Sequence, residues 1–412
     1  MERFTGLLGI VLILGVSFLM SNNRKAINYR TVGVGLLLQV GLAVFILKTE
    51  VGQATFQWLG DSINTLLGQA DKGAQFVFGS LVDRKLMSQA FGAGNDYIFF
   101  FKVVPTIIFV AVLVNMFYHL GVLQRVVSTM GKGVHWLMGV SGAEALSNVA
   151  STFVGQVEAQ IMIKPYLKNM TNSELMASMT GSFACIAGGV MAVYISLGVP
   201  AAYLLAASLM AAPGALVISK IMFPETEKSE TQGMVKMDII KTHANLVDAV
   251  AAGASEGLKV GLNVIAMLIG FIALIALVDL GLGHIGAWIN MPTLSMNLIL
   301  GKVFSVFAFA MGVPAQDVEV AGALMGKKMV VNEFVAYLDM VHLKATLDPK
   351  TIAITSFALC GFANFSSVAI QIGGIGELAP SRRSDLAKLG FKALIAGTLA
   401  SYLSATLAGL LL

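Results

Sequence analysis

The sequence predicts an all-α polytopic membrane protein, and three observations carry that prediction. Of 412 residues, 57% are hydrophobic and only 12% charged, about half the charge of a typical soluble domain. Apolar runs of about 20 residues, the length that crosses roughly 30 Å of hydrocarbon, recur from one end of the chain to the other. Two further stretches, about 141–170 and 298–340, are too interrupted to be ordinary spans and too apolar to be loops. They read as re-entrant helical hairpins, tolerated at membrane depth where protein or a wet cavity satisfies the broken backbone.

Eight transmembrane helices fall near 4–20, 31–48, 98–121, 174–196, 200–221, 256–283, 351–373 and 391–411. The first has Arg3 ahead of it and Ser21-Asn22-Asn23-Arg24-Lys25 behind it. With no small-residue cleavage site, it reads as a retained helix and not a signal peptide. Residues 74–90 suit a surface-lying interfacial helix, and the hydrophilic run 224–243 suits a cytoplasmic linker between two halves. Basic residues gather at Arg24, Lys25 and Arg30; at Arg125 and Lys132; at Lys220, Lys228, Lys236 and Lys241; and at Arg382, Arg383, Lys388 and Lys392. Each cluster follows an odd-numbered span, so the positive-inside rule puts both termini outside. Arg84, Lys85, Lys327, Lys328 and Lys344 run against that topology, which leaves them in outward segments.

The expected organisation has N-terminal scaffold helices (1–73), an interfacial helix region (74–97), and a scaffold span with an interfacial helix (98–140). A first transport repeat of hairpin and two spans (141–222) and a linker (223–255) follow, then a scaffold span (256–297) and a second transport repeat (298–412). The repeats echo each other. Glu158 is followed 24 residues on by Ser182-Phe183-Ala184, and Glu333 is followed 23 residues on by Ser356-Phe357-Ala358. Both spans then carry small residues, Ile186-Ala187-Gly188-Gly189-Val190 and Gly361-Phe362-Ala363-Asn364-Phe365-Ser366-Ser367. Inverted repeats of hairpin and broken span are how secondary transporters build a midplane binding site.

An ionisable group at membrane depth costs about 2.5 kcal/mol or more, so Glu158 and Glu333 are expected to face a cavity or a partner. Gln156 and Asn332 bring amides beside them, and Asn364 with Ser366 and Ser367 occupies the second break. A membrane serine often bonds back to its own helix, which is the plainer reading of Ser366. The remaining polar residues point elsewhere. Cys185 and Cys360 form no CxxC pair, and the five histidines (His119, His135, His243, His284, His342) lack metal-ligand spacing. The 22 methionines read as lipid-facing or gap-filling, and Asp317, Glu319 and Asp339 as water-facing. No P-loop or HExxH motif is present, which argues against an enzyme, a nucleotide-driven pump or a bound cofactor. No dense basic run with interleaved aromatics suggests a nucleic-acid partner.

At these residues the chain resembles the concentrative nucleoside transporter family, in its bacterial form. The likeness runs through "SNNRKAINYRTVG", "FVFGSLV", "FVGQVEAQ" at 153–160, "MAAPGALVISKIMFPETEK" at 210–228, "AMLIGFIALIAL", "VNEFVAY" at 331–337 and "FALCGFANFSSVAI" at 357–370. The resemblance implies a homotrimer whose protomers each have eight transmembrane helices, two re-entrant hairpins and interfacial helices in the lipid bilayer, with a transport domain moving against a scaffold. It implies a nucleobase held by Gln156, Val157 and Glu158 with Val190, and a ribose held by Glu333, Asn364 and Ser367 with Phe362 nearby. Two positions depart from the family pattern: Val157 replaces a threonine, and Gln160 stands where proline is common. Sodium-driven members carry asparagine at the position of Ser151 and serine or threonine at that of Cys185, beside the carbonyls of Val154 and Ile186. A thiol is a poor ligand for a hard cation, and proton-driven relatives share serine at the Ser151 position. The expectation is a symporter that imports nucleosides across the cytoplasmic (inner) membrane, with H+ favoured over Na+ as coupling ion and an elevator-type movement. A nucleoside-binding sensor, a passive channel, and an intramembrane enzyme using Glu158 and Glu333 as acid and base are the alternatives.

Overall fold

The structure is a computed structural model that describes residues 2–92, 98–233 and 243–412; α- and 3-10 helices account for its regular structure, and it has no strand among those residues. The first half opens with α1 (Glu2–Leu19), α2 (Tyr29–Lys48), α3 (Glu50–Leu67), α4 (Ala70–Phe78), α5 (Arg84–Phe91), α6 (Phe99–His119) and α7 (Val122–Met138). It continues through α8 (Gly142–Ser151), α9 (Glu158–Ile161), α10 (Lys164–Leu167), α11 (Asn172–Ala184), α12 (Gly188–Leu197) and α13 (Ala201–Met222). The second half has α14 (Leu246–Trp288), α15 (Met296–Ala310), α16 (Val318–Val330), α17 (Glu333–Leu343), α18 (Pro349–Leu359), α19 (Phe365–Leu378) and α20 (Arg383–Leu411). Among the described residues, six segments are long and apolar enough to cross a membrane: 29–48, 99–119, 172–197, 201–222, 246–288 and 380–411. The other two expected spans are α1, which is shorter, and the interrupted pair α18 and α19.

Helix α20 forms the buried axis, packing on α11, α13, α18 and α1. Its contact face is made of small residues, Ala393, Ala396, Ala400, Ala405 and Ala408, all fully buried. Small faces suit a chain in lipid, where van der Waals contact replaces the hydrophobic effect between helices. Helix α14 shows the same logic on α6. Gly253, Gly257 and Gly261 recur every four residues, and a Cβ added at each would sit 2.8 Å from Val112 Cα, 2.6 Å from Ile108 Cα and 2.9 Å from Val104 Cγ1. Much of the rest of α14 is exposed and apolar, including Ile269, Ile272, Leu277 and Leu280.

Both hairpins form, and a capped helix start lies at the head of the first and at the turn of the second. Ser141 and Glu144 make a reciprocal capping box at α8, and Asn332 caps α17 by accepting from the Val335 N–H. The first hairpin is α8, a turn, then α9 and α10; the second is α16 turning directly into α17. Helices α11 and α12 are separated by 185–187, and α18 and α19 by 360–364.

Several expectations need correction. The stretch 298–340 is not one hairpin: its first part is the separate helix α15, ended at Gly312, whose φ of +89° no β-branched residue would adopt. Helix α15 lies close on α16 because Gly301, Gly322 and Gly326 meet backbone or Cβ atoms with no room for a side chain. The 74–90 helix is two short helices, α4 and α5, and α3 before them was not foreseen because Glu50, Gln53, Gln57 and Asp61 dilute its apolar face. Lys327 and Lys328 are buried in α16, Lys327 paired with Asp339 and Lys328 donating to the Ala358 carbonyl at 2.8 Å. Asp317 does not face water: it is buried and accepts from Thr351 Oγ1 at 2.6 Å and the Asp348 N–H at 2.9 Å. Lys236 and Lys241 lie outside the described residues.

Candidate functional site

In the second half, the two N-cap asparagines organise the site. Asn364 Oδ1 accepts from the Ser367 N–H at 2.9 Å and from Ser366 Oγ at 2.7 Å, which starts α19. Its Nδ2 then donates to Glu333 Oε2 at 3.0 Å. Glu333, directly after the cap Asn332, is the first residue of α17. Its other oxygen, Oε1, accepts from the Tyr194 hydroxyl of α12 at 2.9 Å. Tyr194 is packed against Phe334 (5.7 Å between centroids) and Tyr337 (4.5 Å). Glu333, Asn364, Ser367 and Tyr194 are all buried. The N-termini of α17 and α19, which carry partial positive charge and unpaired N–H groups, therefore converge on one carboxyl group.

The first hairpin reaches this cluster through Gln156. Its Nε2 lies 3.5 Å from Ser367 Oγ, and its Oε1 accepts from Gln371 Nε2 at 3.3 Å. Val157 packs on α19 so closely that a Cβ at Gly374 would sit 2.6 Å from Val157 Cγ2. Glu158 is exposed at the start of α9; its carboxyl folds back over Gly155, where an added Cβ would meet Oε2 at 2.1 Å, and it has no side-chain hydrogen-bond partner among the described residues. Val190, in the first turn of α12, and Phe362, in the second break, are half-buried.

The two breaks touch. The Phe362 N–H donates to the Cys185 carbonyl at 3.2 Å. Gly361 has φ +145°, and a Cβ there would lie 2.7 Å from the Phe183 carbonyl oxygen. Glycine is required at that crossing, both for the backbone angle and for the approach. Ser151 Oγ lies 2.9 Å from the Ser147 carbonyl and 3.1 Å from Ser182 Oγ, while Val154, the Cys185 thiol and Ile186 are buried.

The structure thus brings Glu333, Asn364, Ser367 and Gln156 into one connected group, with Val157 beside it, and leaves Glu158 outside that hydrogen-bonded network. Tyr194 and Gln371 were missed. Each lies one helical turn beyond a predicted residue, Val190 and Ser367 respectively, so the i, i+4 rule was the available signal. A carboxyl acceptor beside amides that both donate and accept suits a polar, hydroxyl-bearing solute. A separate cavity of about 530 Å³ between α15, α16 and α17 is lined by Glu319, Lys327 and Asp339 and shares none of these residues.

Two hairpins, two broken spans, and a polar cluster where they meet define a membrane carrier built from inverted repeats. Residues 8–81 match the family described as Na+ dependent nucleoside transporter N-terminus, 100–201 match "Nucleoside recognition", and 203–409 match Na+ dependent nucleoside transporter C-terminus. The chain belongs to this family, the concentrative nucleoside transporters, whose members are transporters and not enzymes. It is 45% identical over the whole of both chains to the uncharacterized transporter YutK of Bacillus subtilis. It is 38% identical to the nucleoside permease NupC of Helicobacter pylori, covering 98% of this chain and 96% of that one. Sodium/nucleoside cotransporter 1 of rat is 38% identical over all of this chain and 64% of that longer protein. Among solved structures, CNTnw in an inward-facing substrate-bound state superposes with a TM-score of 0.94 at 40% identity, over 100% of this chain and 98% of that one. Substituted forms of CNTnw in outward-facing and intermediate states superpose comparably, two outward-facing ones at 0.94 and 0.95.

Proposed function

We propose that this protein is a secondary active symporter that imports nucleosides across the cytoplasmic membrane, with a proton as the coupling ion. The observation that carries the nucleoside reading is the buried Glu333–Asn364 pair, joined through Ser367 to Gln156 of the opposite repeat. A carboxyl oxygen accepts from vicinal hydroxyls and an asparagine both donates and accepts. Glu333, Asn364 and Ser367, with Phe362 beside them, therefore bind the ribose. Gln156, Val157, Glu158 and Val190 bind the base, and Glu158, exposed and without a side-chain hydrogen-bond partner among the described residues, is the group free to meet it. The names of NupC and of the rat cotransporter, and the substrate-bound state of CNTnw, support the substrate class. The inward-facing and outward-facing forms of CNTnw support alternating access, and the repeats 141–222 and 298–412 would be the moving, elevator-type part against the scaffold helices. The long exposed apolar face of α14 suits burial in lipid or in a homotrimer.

The coupling ion is read from donor chemistry. Sodium needs several hard oxygen ligands. Here the Ser151 hydroxyl is engaged with Ser147 and Ser182, the Cys185 carbonyl takes the Phe362 N–H, and Cys185 offers sulfur in place of oxygen. The family description favours sodium instead. Uptake of uridine and adenosine into proteoliposomes, with inward proton and sodium gradients imposed separately, decides between them. Accumulation driven by protons alone is expected. Accumulation driven by sodium overturns the coupling reading, equilibration without accumulation identifies a passive channel, and binding without uptake identifies a sensor.

A further inference from the structure

We propose that Gln160 is a positioning residue for the nucleoside site: its buried carboxamide closes a network of serine hydroxyls between α8 and α11 and so holds the turn that carries Gln156. This rests on the reading of Gln156 as a base-contacting residue. Ser147 and Ser151 lie one turn apart on α8, and Ser178 and Ser182 lie one turn apart on α11. They pair across the seam, Ser147 with Ser178 at 2.5 Å and Ser151 with Ser182 at 3.1 Å. Gln160 inserts its amide between the pairs. Nε2 donates to Ser182 Oγ at 2.9 Å and to Ser147 Oγ at 3.3 Å, while Oε1 accepts from Ser178 Oγ at 2.6 Å. Ser182 Oγ in turn donates to the Gln156 carbonyl at 3.3 Å. All five side chains are 2% exposed or less.

Three physical points make this more than ordinary packing. Helix α9 has only four residues, Glu158–Ile161, too few to hold a helical turn in place unaided, so its position is set by what it grips. Gln160 is the grip. A primary amide is the side chain that donates twice and accepts at one end; leucine does neither, and an ionised glutamate cannot donate. In a dry network each bond supports the others, so loss of the central member removes its three hydrogen bonds, to Ser147, Ser178 and Ser182, at once. The amide nitrogen also lies among hydroxyl oxygens, where a cation would otherwise be attracted. The tip of the first hairpin is therefore held on α11 by the protein's own N–H groups, with no ion needed.

The test uses the purified full-length protein, the wild type beside Gln160→Leu and Gln160→Glu, each in choline chloride and in sodium chloride. Uridine and adenosine binding is measured by calorimetry and the thermal unfolding midpoint without nucleoside. The wild type is expected to behave alike in both salts. Gln160→Leu should bind about tenfold more weakly in both, the scale of one lost buried hydrogen bond. Gln160→Glu places a carboxylate among serine oxygens, a hard-ligand set, so its affinity should be low in choline and recover in sodium, with a sodium-dependent rise in midpoint. Sodium recovery is a response that a purely structural glutamine would not give. The proposal is overturned if Gln160→Leu binds within twofold of the wild type, or if Gln160→Glu is indifferent to sodium in both measurements. If Gln160→Leu does not purify as a folded protein, Gln160→Glu decides alone. A wild type that itself requires sodium refutes the proton reading but leaves the comparison of Gln160→Leu with wild type, made in sodium, to decide this one. A wild type that binds neither nucleoside refutes the substrate reading, and the midpoints still decide the role of Gln160.

Discussion

Tyr194→Phe removes one oxygen atom from the candidate site and little else. The phenol is fully buried and donates to Glu333 Oε1 at 2.9 Å, while its ring packs at 4.5 Å from Tyr337 and 5.7 Å from Phe334. Phenylalanine keeps those ring contacts. What is lost is one hydrogen bond to a carboxyl group, about 1 to 3 kcal/mol depending on its charge. If Glu333 holds the ribose, that loss appears as misorientation of the carboxyl, and nucleoside Kd should rise roughly fivefold to 150-fold. Glu333→Ala, which deletes the acceptor itself, should abolish binding. The assay is uridine binding by calorimetry on protein whose thermal unfolding and membrane abundance match the wild type. An unchanged Kd for Tyr194→Phe would refute the claim that Tyr194 orients Glu333, and normal uptake by Glu333→Ala would refute the ribose assignment.

Three further perturbations test other parts of the structure. Gly361→Ala forces an L side chain to φ +145° with its Cβ 2.7 Å from the Phe183 carbonyl oxygen and should cost about 1–3 kcal/mol or more; a wild-type unfolding midpoint with full uptake would contradict the crossing of the two breaks. Lys220→Met leaves the buried Glu144 carboxyl, now 2.6 Å from Lys220 Nζ, without its cation and should destabilise by about 3–5 kcal/mol. Adding Glu144→Gln should recover much of that in a chemical or thermal melt, and no recovery would mean that the pair is not coupled. Val157→Thr adds a hydroxyl at the base edge while keeping the contact on Gly374, so the ratio of uridine to adenosine KM should shift about tenfold or more; an unchanged ratio removes Val157 from base recognition.

The spans were legible because about 20 apolar residues in a row have few other solutions. Both hairpins were legible because their stretches are too interrupted to be spans and too apolar to be loops, although the second was drawn long enough to include α15. Helix α3 was not, because its buried residues Phe56, Gly60 and Leu67 are too sparse to stand out from its polar face. Asp317 was misplaced because a charge looks water-facing until its partner is known, and its partner, Thr351, lies 34 residues away. Gln160 drew notice as an unusual residue, yet its significance depends on serines 13 to 22 residues distant, which only the crossing of α8 and α11 brings within reach.

Residue chemistry and its periodicity decided the solvent this chain lives in, the helical class, the two re-entrant turns, and the residue types available for a polar solute. These follow from local quantities: run length, hydropathy, and the cost of a charge in lipid. The tertiary structure decided which of those residues meet. Tyr194 and Glu333 are 139 residues apart, and Gln156 and Ser367 are 211 apart. Hydrogen bonding requires tenths of an ångström, and that precision comes from glycine-tight helix crossings and capped half-helices, whose geometry is set by packing between the two repeats and by no pattern within either one.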